Sequence, residues 1–294
     1  KLVACCEEER YTLNKHTREF PINAINDCLT IANLSLDDVD AIGIGFDPDL
    51  YHNYPLKESM NRRVMPSKDD LIKEIHEKLN FKNDIFFLEH HLCHVACAYY
   101  TSGYDECIIY SNDGIGEINS SMIAVARDNE INVIHRNNNF PNSIGIAYAA
   151  ITRYLGWGSG DEGMVMGLAP FGDHNKLIPN STLSYKEVFE DALRVDKYNY
   201  YVNEKWFAFP RVRDKWVTDE FESLFGPKRV HDGPITDHHK NIAHAIQKRI
   251  EAICLLQLKG IKRDYPLDNL CISGGVGLNC SLNGKIEESN LFKE

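Results

Sequence analysis

Residues 241–264, NIAHAIQKRIEAICLLQLKGIKRD, carry apolar side chains at Ile242, Ile246, Ile250 and Ile253, the spacing of one face of a long helix. LCISGG (270–275) follows as a short apolar run closed by two glycines, and LNCSLNGKI (278–286) returns to helical spacing. A long helix with one apolar stripe must lay that stripe on a sheet or on other helices. The chain therefore reads as α/β, with LCISGG as a buried strand and helices around it.

The rest of the sequence fits mixed α/β lobes. INAINDCLTIAN (22–33) and KDDLIKEIHEKL (68–79) read as helices, AIGIGF (41–46) and DIFFLE (84–89) as strands, and Ser35 with Asp38 as a capping arrangement. Between about Asp47 and Ser67 the chain is rich in proline and charge, and irregular structure is expected. ECIIYSND (106–113), SSMIAVARD (120–128) and INVIHRN (131–137) are β-rich, the last two joined as a hairpin at Asp128 and Asn129. SIGIAYAAITRYLG (143–156) is helical and stops at Gly156. From about 173 to 238 periodicity fades into polar, aromatic and proline-containing sequence, read as a variable insertion.

At 294 residues, 43% hydrophobic and 26% charged, the chain has material for one large or two medium domains. No apolar run reaches the roughly 20 residues of a membrane span, so a cytoplasmic location without membrane contact is expected. A formal charge of -11 counts against a nucleic-acid partner, because phosphate contacts require a basic surface. The nine cysteines are odd in number and lack CxxC pairs; buried free thiols in a reducing compartment are the simplest account. Both termini look cut. KLVACC starts without Met and reads as the end of a strand, and the other terminus stops soon after a strand and helix open a new unit, so a longer parent is expected.

Five stretches could carry chemistry. EHHLCHVACAYY (89–100) places His90, His91 and His94 directly after a strand-like run. On a helix, His90 and His94 project from one face about one turn apart. Two neutral imidazoles so placed can hold a divalent ion, and Asp113, at the end of the next strand, could add a hard ligand; the set favours iron, zinc or manganese. Histidines that pack or cap a helix start would show the same spacing. There is no HExxH motif, so the general base of a zinc protease is missing.

NDGIGE puts Gly114 and Gly116 where the chain must turn, and amides in such a turn can approach phosphate oxygens; a plain hairpin is an equally good reading. SGGVGLN offers Gly274 and Gly275 as room for a ligand before a helix start that favours an anion. Asn279 would then reach a ribose or base edge, and a tight packing turn is the alternative. GDEGMVMGLAPFG reads as a glycine-rich loop whose Asp161 and Glu162 could meet sugar hydroxyls. EERYTLNKHTREFP gathers Arg10, Lys15, His16 and Arg18, which would suit phosphate or a carbamoyl oxyanion, or form a solvated turn.

In this order the stretches EERYTLNKHTREFP, HHLCHVACAYY, SNDGIGE, FPNSIGIAYAAITRYLGWGSGDEGMVMGLAPFG and CISGGVGLNCSLNGKI make the chain similar to the O-carbamoyltransferase family of the nodulation-protein (NodU) and cephamycin-biosynthesis type. The likeness spans nearly the whole sequence and is weakest between about 173 and 225. It implies an actin-like ATPase superfold with ribonuclease H-like lobes, similar to the catalytic subunit that makes threonylcarbamoyladenosine in tRNA, and truncated at both ends. The implied lobes are residues 1–105, without their first strand, and 106–294, incomplete at the carboxy end, with a further carbamoyl-adenylating domain absent.

Enzymes of this type join ATP and carbamoyl phosphate into a carbamoyl adenylate and pass the carbamoyl group to a hydroxyl of a small-molecule or sugar acceptor. The resemblance implies His90, His94 and Asp113 as ligands of ferrous iron or a similar divalent metal. It further implies Gly114, Gly116, Gly274, Gly275 and Asn279 along the adenylate, Glu162 at its ribose, and Lys15 and His16 near the transfer site; a homodimer is expected only because symmetric dimers are common. The family's early His-Asp pair and its late Gly-Asp-rich motif are missing, and Met164 stands where lysine is usual. The chain by itself is therefore expected to bind metal and nucleotide poorly and not to complete the reaction. A tRNA threonylcarbamoyl transferase, a sugar or acetate kinase of the same superfold and a noncatalytic binding module are the competing readings. A kinase would have no use for His90 and His94.

Overall fold

A computed structural model of the chain describes residues 2–15, 17–53, 65–137, 140–209, 212 and 215–294. These residues divide into two compact units, 2–53 with 65–89, and 90–294.

The first unit contains helices α1 (Glu9–Thr12) and α2 (Ile22–Ala32), strand β1 (Ala41–Ile44), helices α3 (Pro48–Asn53) and α4 (Lys68–Leu79), and strand β2 (Asp84–Phe87). Local chemistry sets most of these boundaries. Ser35 and Asp38 make the expected capping box, and Ser67 with Asp70 makes another at the start of α4. Helices α2 and α4 end at Asn33 and Asn80, both in the left-handed conformation that asparagine tolerates. β1 and β2 pair in parallel, from Ala41 opposite Asp84 to Ile44 opposite Phe87.

Two expectations are corrected here. Residues 2–7 are neither helix nor strand, although KLVACC reads as a strand end; a strand needs a hydrogen-bonded neighbour, and among the described residues β1 pairs only with β2. Helix α3 lies inside the stretch expected to be irregular, started by Pro48 at its first position, where a missing N–H costs nothing. Residues 54–64 of that stretch lie outside the described residues.

The second unit runs through α5 (His90–Ser102), β3 (Glu106–Asn112), β4 (Ser121–Arg127), β5 (Glu130–Asn137), α6 (Ile144–Tyr154), α7 (Glu162–Leu168), α8 (Tyr185–Ala192), β6 (Leu193–Asp196) and β7 (Asn199–Val202). It continues with α9 (Asp219–Phe225), α10 (Asp237–Asp264), β8 (Leu270–Ser273) and α11 (Cys280–Glu288). Four strands form one mixed sheet in the order β5-β4-β3-β8, with β3, β4 and β5 antiparallel and β8 parallel to β3. The β4–β5 turn uses Asp128 and Asn129 with φ of 52° and 66°, as a two-residue hairpin requires. β3 is apolar on both sides because both are covered. Cys107 and Ile109 pack with Val95 and Tyr99 of α5, while Ile108 and Tyr110 join α6 and α10 through Ile144, Ile246 and Ile250.

That packing moves the expected lobe boundary. The division falls between Glu89 and His90, not between 105 and 106, because α5 buries Val95 and Tyr99 on the second unit's sheet. A helix belongs with whatever covers its apolar face, not with the strand before it.

Within residues 173–238 the described part is ordered by aromatic packing, not by periodicity. Tyr185, Phe189, Phe207, Phe221 and Phe225 are at most 4% exposed, each burial being favourable by about 1.5–3 kcal/mol. The stretch GDEGMVMGLAPFG, expected as a loop, is α7 followed by a tight turn at Ala169–Phe171. Fully buried Val165 anchors that helix against the roughly 1 kcal/mol that each interior glycine costs it. All nine cysteines are free, yet only Cys107, Cys254 and Cys271 are buried, and Cys5, Cys97 and Cys280 are exposed. Burial explains part of the cysteine usage. Among the described residues no helix is long and apolar enough to cross a membrane.

Candidate metal centre

Asp113 directly follows β3, and its carboxylate meets the first two turns of α5. Asp113 Oδ2 lies 3.0 Å from His90 Nε2 and 3.3 Å from His94 Nε2, and the two Nε2 atoms are 3.0 Å apart. Among the described residues this is the one group of three such side chains placed to hold an ion, with ligand atoms all within 4.8 Å of one another.

The three contacts cannot all be hydrogen bonds between neutral rings. If each Nε2 donates to Asp113, neither has a lone pair left for the other. A cation at the centre removes the conflict. Ligand bonds of about 2.1 Å at right angles put neighbouring donor atoms about 3 Å apart, which are the separations seen. Two imidazoles and one carboxylate with further positions open fit a divalent transition metal.

The carboxylate is held for this task. Asp113 Oδ1 accepts the Gly114 N–H at 2.7 Å and the Gly275 N–H at 3.1 Å, leaving Oδ2 to the imidazoles. Burial by itself would raise the Asp113 carboxyl, but the hydrogen bonds from His90, His94 and Gly114 outweigh it and hold the group well below the usual carboxylate range. It stays ionised. His91 is a different case: it is fully buried, its Nδ1 is 3.2 Å from Ser111 Oγ, and burial pushes it down to about 4. It is a neutral core histidine.

The glycines serve this arrangement directly. A Cβ at Gly275 would lie 2.7 Å from Asp113 Oδ1, and at Gly274, whose φ is +81°, it would lie 2.2 Å from the Asn112 carbonyl oxygen. The pair admits β3 and its aspartate, where room for an external ligand was expected. A Cβ at Gly116 would come within 3.0 Å of His90 Cβ, so the turn after Asp113 packs on the start of α5. The Gly114 amide is committed to Asp113.

Other candidates fall elsewhere. Asn279 is 6% exposed; its side chain accepts the Leu282 N–H at the start of α11 and exchanges hydrogen bonds with Gln247, so the structure makes it a cap and not an open ribose ligand. Glu162 opens α7. Burial first, and then its charge and that of Glu251, push the Tyr148 hydroxyl up. Lys15 is exposed and belongs to the first unit; His16 lies outside the described residues. A cleft of about 350 Å³ opens between α10, α11 and the 169–171 turn, with His244, Lys248, Glu251, Cys280 and Lys285 on its walls.

One residue of the site has no motif of its own in the sequence. Glu117, 1% exposed, accepts the His90 backbone N–H with both carboxylate oxygens, at 3.0 and 3.2 Å. An acid next to a glycine turn was the only hint available.

A family model described as "Carbamoyltransferase N-terminus" matches residues 56–294. An uncharacterized protein of Synechocystis is 30% identical over 99% of this chain and 50% of its own length. Nodulation protein NolNO of Sinorhizobium fredii is 28% identical over 100% of the chain and 42% of its own length. Nodulation protein NolO of Bradyrhizobium diazoefficiens is 31% identical over 70% of the chain and 34% of its own length. The chain thus spans half or less of the length of these relatives. With the family model matched from residue 56 to 294, through the histidine helix, the Asp113 turn and the Gly274–Gly275 turn, the chain belongs to the carbamoyltransferase family, in its N-terminal region.

Proposed function

We propose that His90, His94 and Asp113 hold a divalent metal such as ferrous iron, in a protein that transfers a carbamoyl group to an acceptor hydroxyl. The convergence of those three side chains carries the reading, in a chain whose family is that of the carbamoyltransferases. The metal, when bound, would polarise the carbonyl or phosphate oxygen of the donor. The chain's part is to present two neutral Nε2 atoms and one ionised carboxylate oxygen, with Gly114 and Gly275 fixing the other oxygen of Asp113.

The donor in this reading is a carbamoyl adenylate made from ATP and carbamoyl phosphate. The acceptor oxygen bonds to the carbamoyl carbon, the carbon–oxygen bond to the phosphate breaks, AMP leaves with the electron pair, and the hydroxyl proton is lost. In this reading the cleft between α10 and α11 is the candidate seat for the nucleotide, although Lys248 and Lys285 on its walls are each paired with a glutamate there, Glu251 and Glu288. Three antiparallel strands joined by a fourth running parallel to the first support a ribonuclease H-like lobe of the actin-like superfold.

Incubating the full-length protein with ATP, carbamoyl phosphate and a panel of sugars and other hydroxylated acceptors tests the reading. The expected result is a metal-dependent mass gain on one acceptor equal to a carbamoyl group replacing one hydrogen. Carbamoyl phosphate left intact across the panel, with metal supplied, would defeat it.

A further inference from the structure

The segment 113–120 does more than deliver the third ligand. Two backbone hydrogen bonds close it on itself, Asp113 N–H to Ser120 O at 3.0 Å and Gly116 N–H to Asn119 O at 2.8 Å. From that segment Asp113 reaches the two imidazoles, Gly116 packs on His90, and Glu117 takes the His90 backbone N–H. His90 is the first residue of α5. The N–H groups of a first helical turn have no partner within the helix and that turn frays readily. A ligand at this position is only as well placed as the turn that carries it.

We infer that Glu117 is a positioning residue for the metal centre: by binding the His90 N–H it fixes the first turn of α5, and so the direction in which His90 Nε2 points. The inference rests on the metal reading given above. A carboxylate suits the task, because an anion at a helix N-terminus is favoured by the helix dipole and makes a charge-assisted hydrogen bond. Its burial keeps water from replacing it at that amide. Glu117 is not one of the three residues whose ligand atoms converge, so its effect passes through His90. His94, one turn further into the helix, depends on it less.

Co²⁺ titrated into the full-length protein, followed by its visible absorption, tests the assignment. Glu117→Ala should weaken Co²⁺ binding about 10–100-fold and alter the absorption band. Glu117→Gln, whose amide oxygen can still accept the His90 N–H, should recover most of the loss. Glu187→Ala removes the comparable capping carboxylate of α8, which accepts the Ser184 N–H at 2.7 Å, and should leave affinity and band unchanged. A folded Glu117→Ala protein with wild-type affinity and band overturns the proposal, as does an equal effect from Glu187→Ala. If Glu117→Ala does not fold, Glu117→Asp, which withdraws the carboxylate by one methylene, takes its place; wild-type binding there overturns the proposal too. Wild-type protein that binds no Co²⁺ removes the metal reading itself, whereas binding that ignores Glu117 removes only this inference.

Discussion

Two clusters of polar side chains in the second unit end in opposite conditions. Around Asn279 the groups satisfy one another. Tyr148 and Asn279 both donate to Gln247 Oε1, Gln247 Nε2 donates to Glu251 and Asn279, and Lys248 closes the set on Glu251 at 2.8 Å. Around Asp113, two ring nitrogens and a carboxylate oxygen crowd one point where they cannot all bond to each other. A buried network that is complete holds a fold together, whereas the conflict around Asp113 is what the proposed metal would resolve. The SGGVGLN motif looked like a ligand loop, yet its asparagine belongs to the complete network.

Replacing both imidazoles should have the largest effect. His90→Ala with His94→Ala should cut Co²⁺ affinity by more than the roughly 100-fold expected of a supporting residue, while metal-free stability at neutral pH falls, because the half-buried Asp113 carboxylate loses the two imidazole partners that hold it ionised. Undiminished binding measured by calorimetry would mean that the cluster is structural. Asn279→Ala tests the other side. It strips the cap of α11 and leaves Gln247 short of a buried partner, at a cost of about 1–3 kcal/mol in denaturant unfolding, and Co²⁺ affinity should not change. An affinity loss there would show the two clusters to be one.

Gly275→Ala should have the smallest effect and is the most discriminating. Its backbone needs no special φ, so stability should fall little; the added methyl meets only Asp113, with Oδ1 at 2.7 Å, and the aspartate must swing away. A loss of about tenfold in metal affinity, or 1.4 kcal/mol, is expected from competition with a coloured chelator. A large drop in melting temperature with unchanged metal affinity would instead make Gly275 a packing glycine.

Elements whose signals lie within a few residues of chain are legible in the amino-acid sequence alone. Helix α4 appears at Lys68–Leu79 with its Ser67–Asp70 cap, and the Asp128–Asn129 turn needs only two residues that accept positive φ. The i, i+4 spacing of His90 and His94 is of the same local kind, and one helix suffices to bring their Nε2 atoms to 3.0 Å. The aromatic order within 173–238 is illegible there because packing of that sort has no period.

By itself, then, the sequence determined the helices and strands with a local period, such as α4, α10 and β3, the pairing of two histidines on one face, and membership of a family. Tertiary structure decided what those pieces serve. The contact between Gly275 and Asp113 joins residues 162 apart in the chain, and that between Glu117 and His90 joins residues 27 apart. No local propensity encodes such meetings. They exist because β8 pairs alongside β3 and α5 covers the sheet, and burial of apolar surface selects that arrangement as a whole.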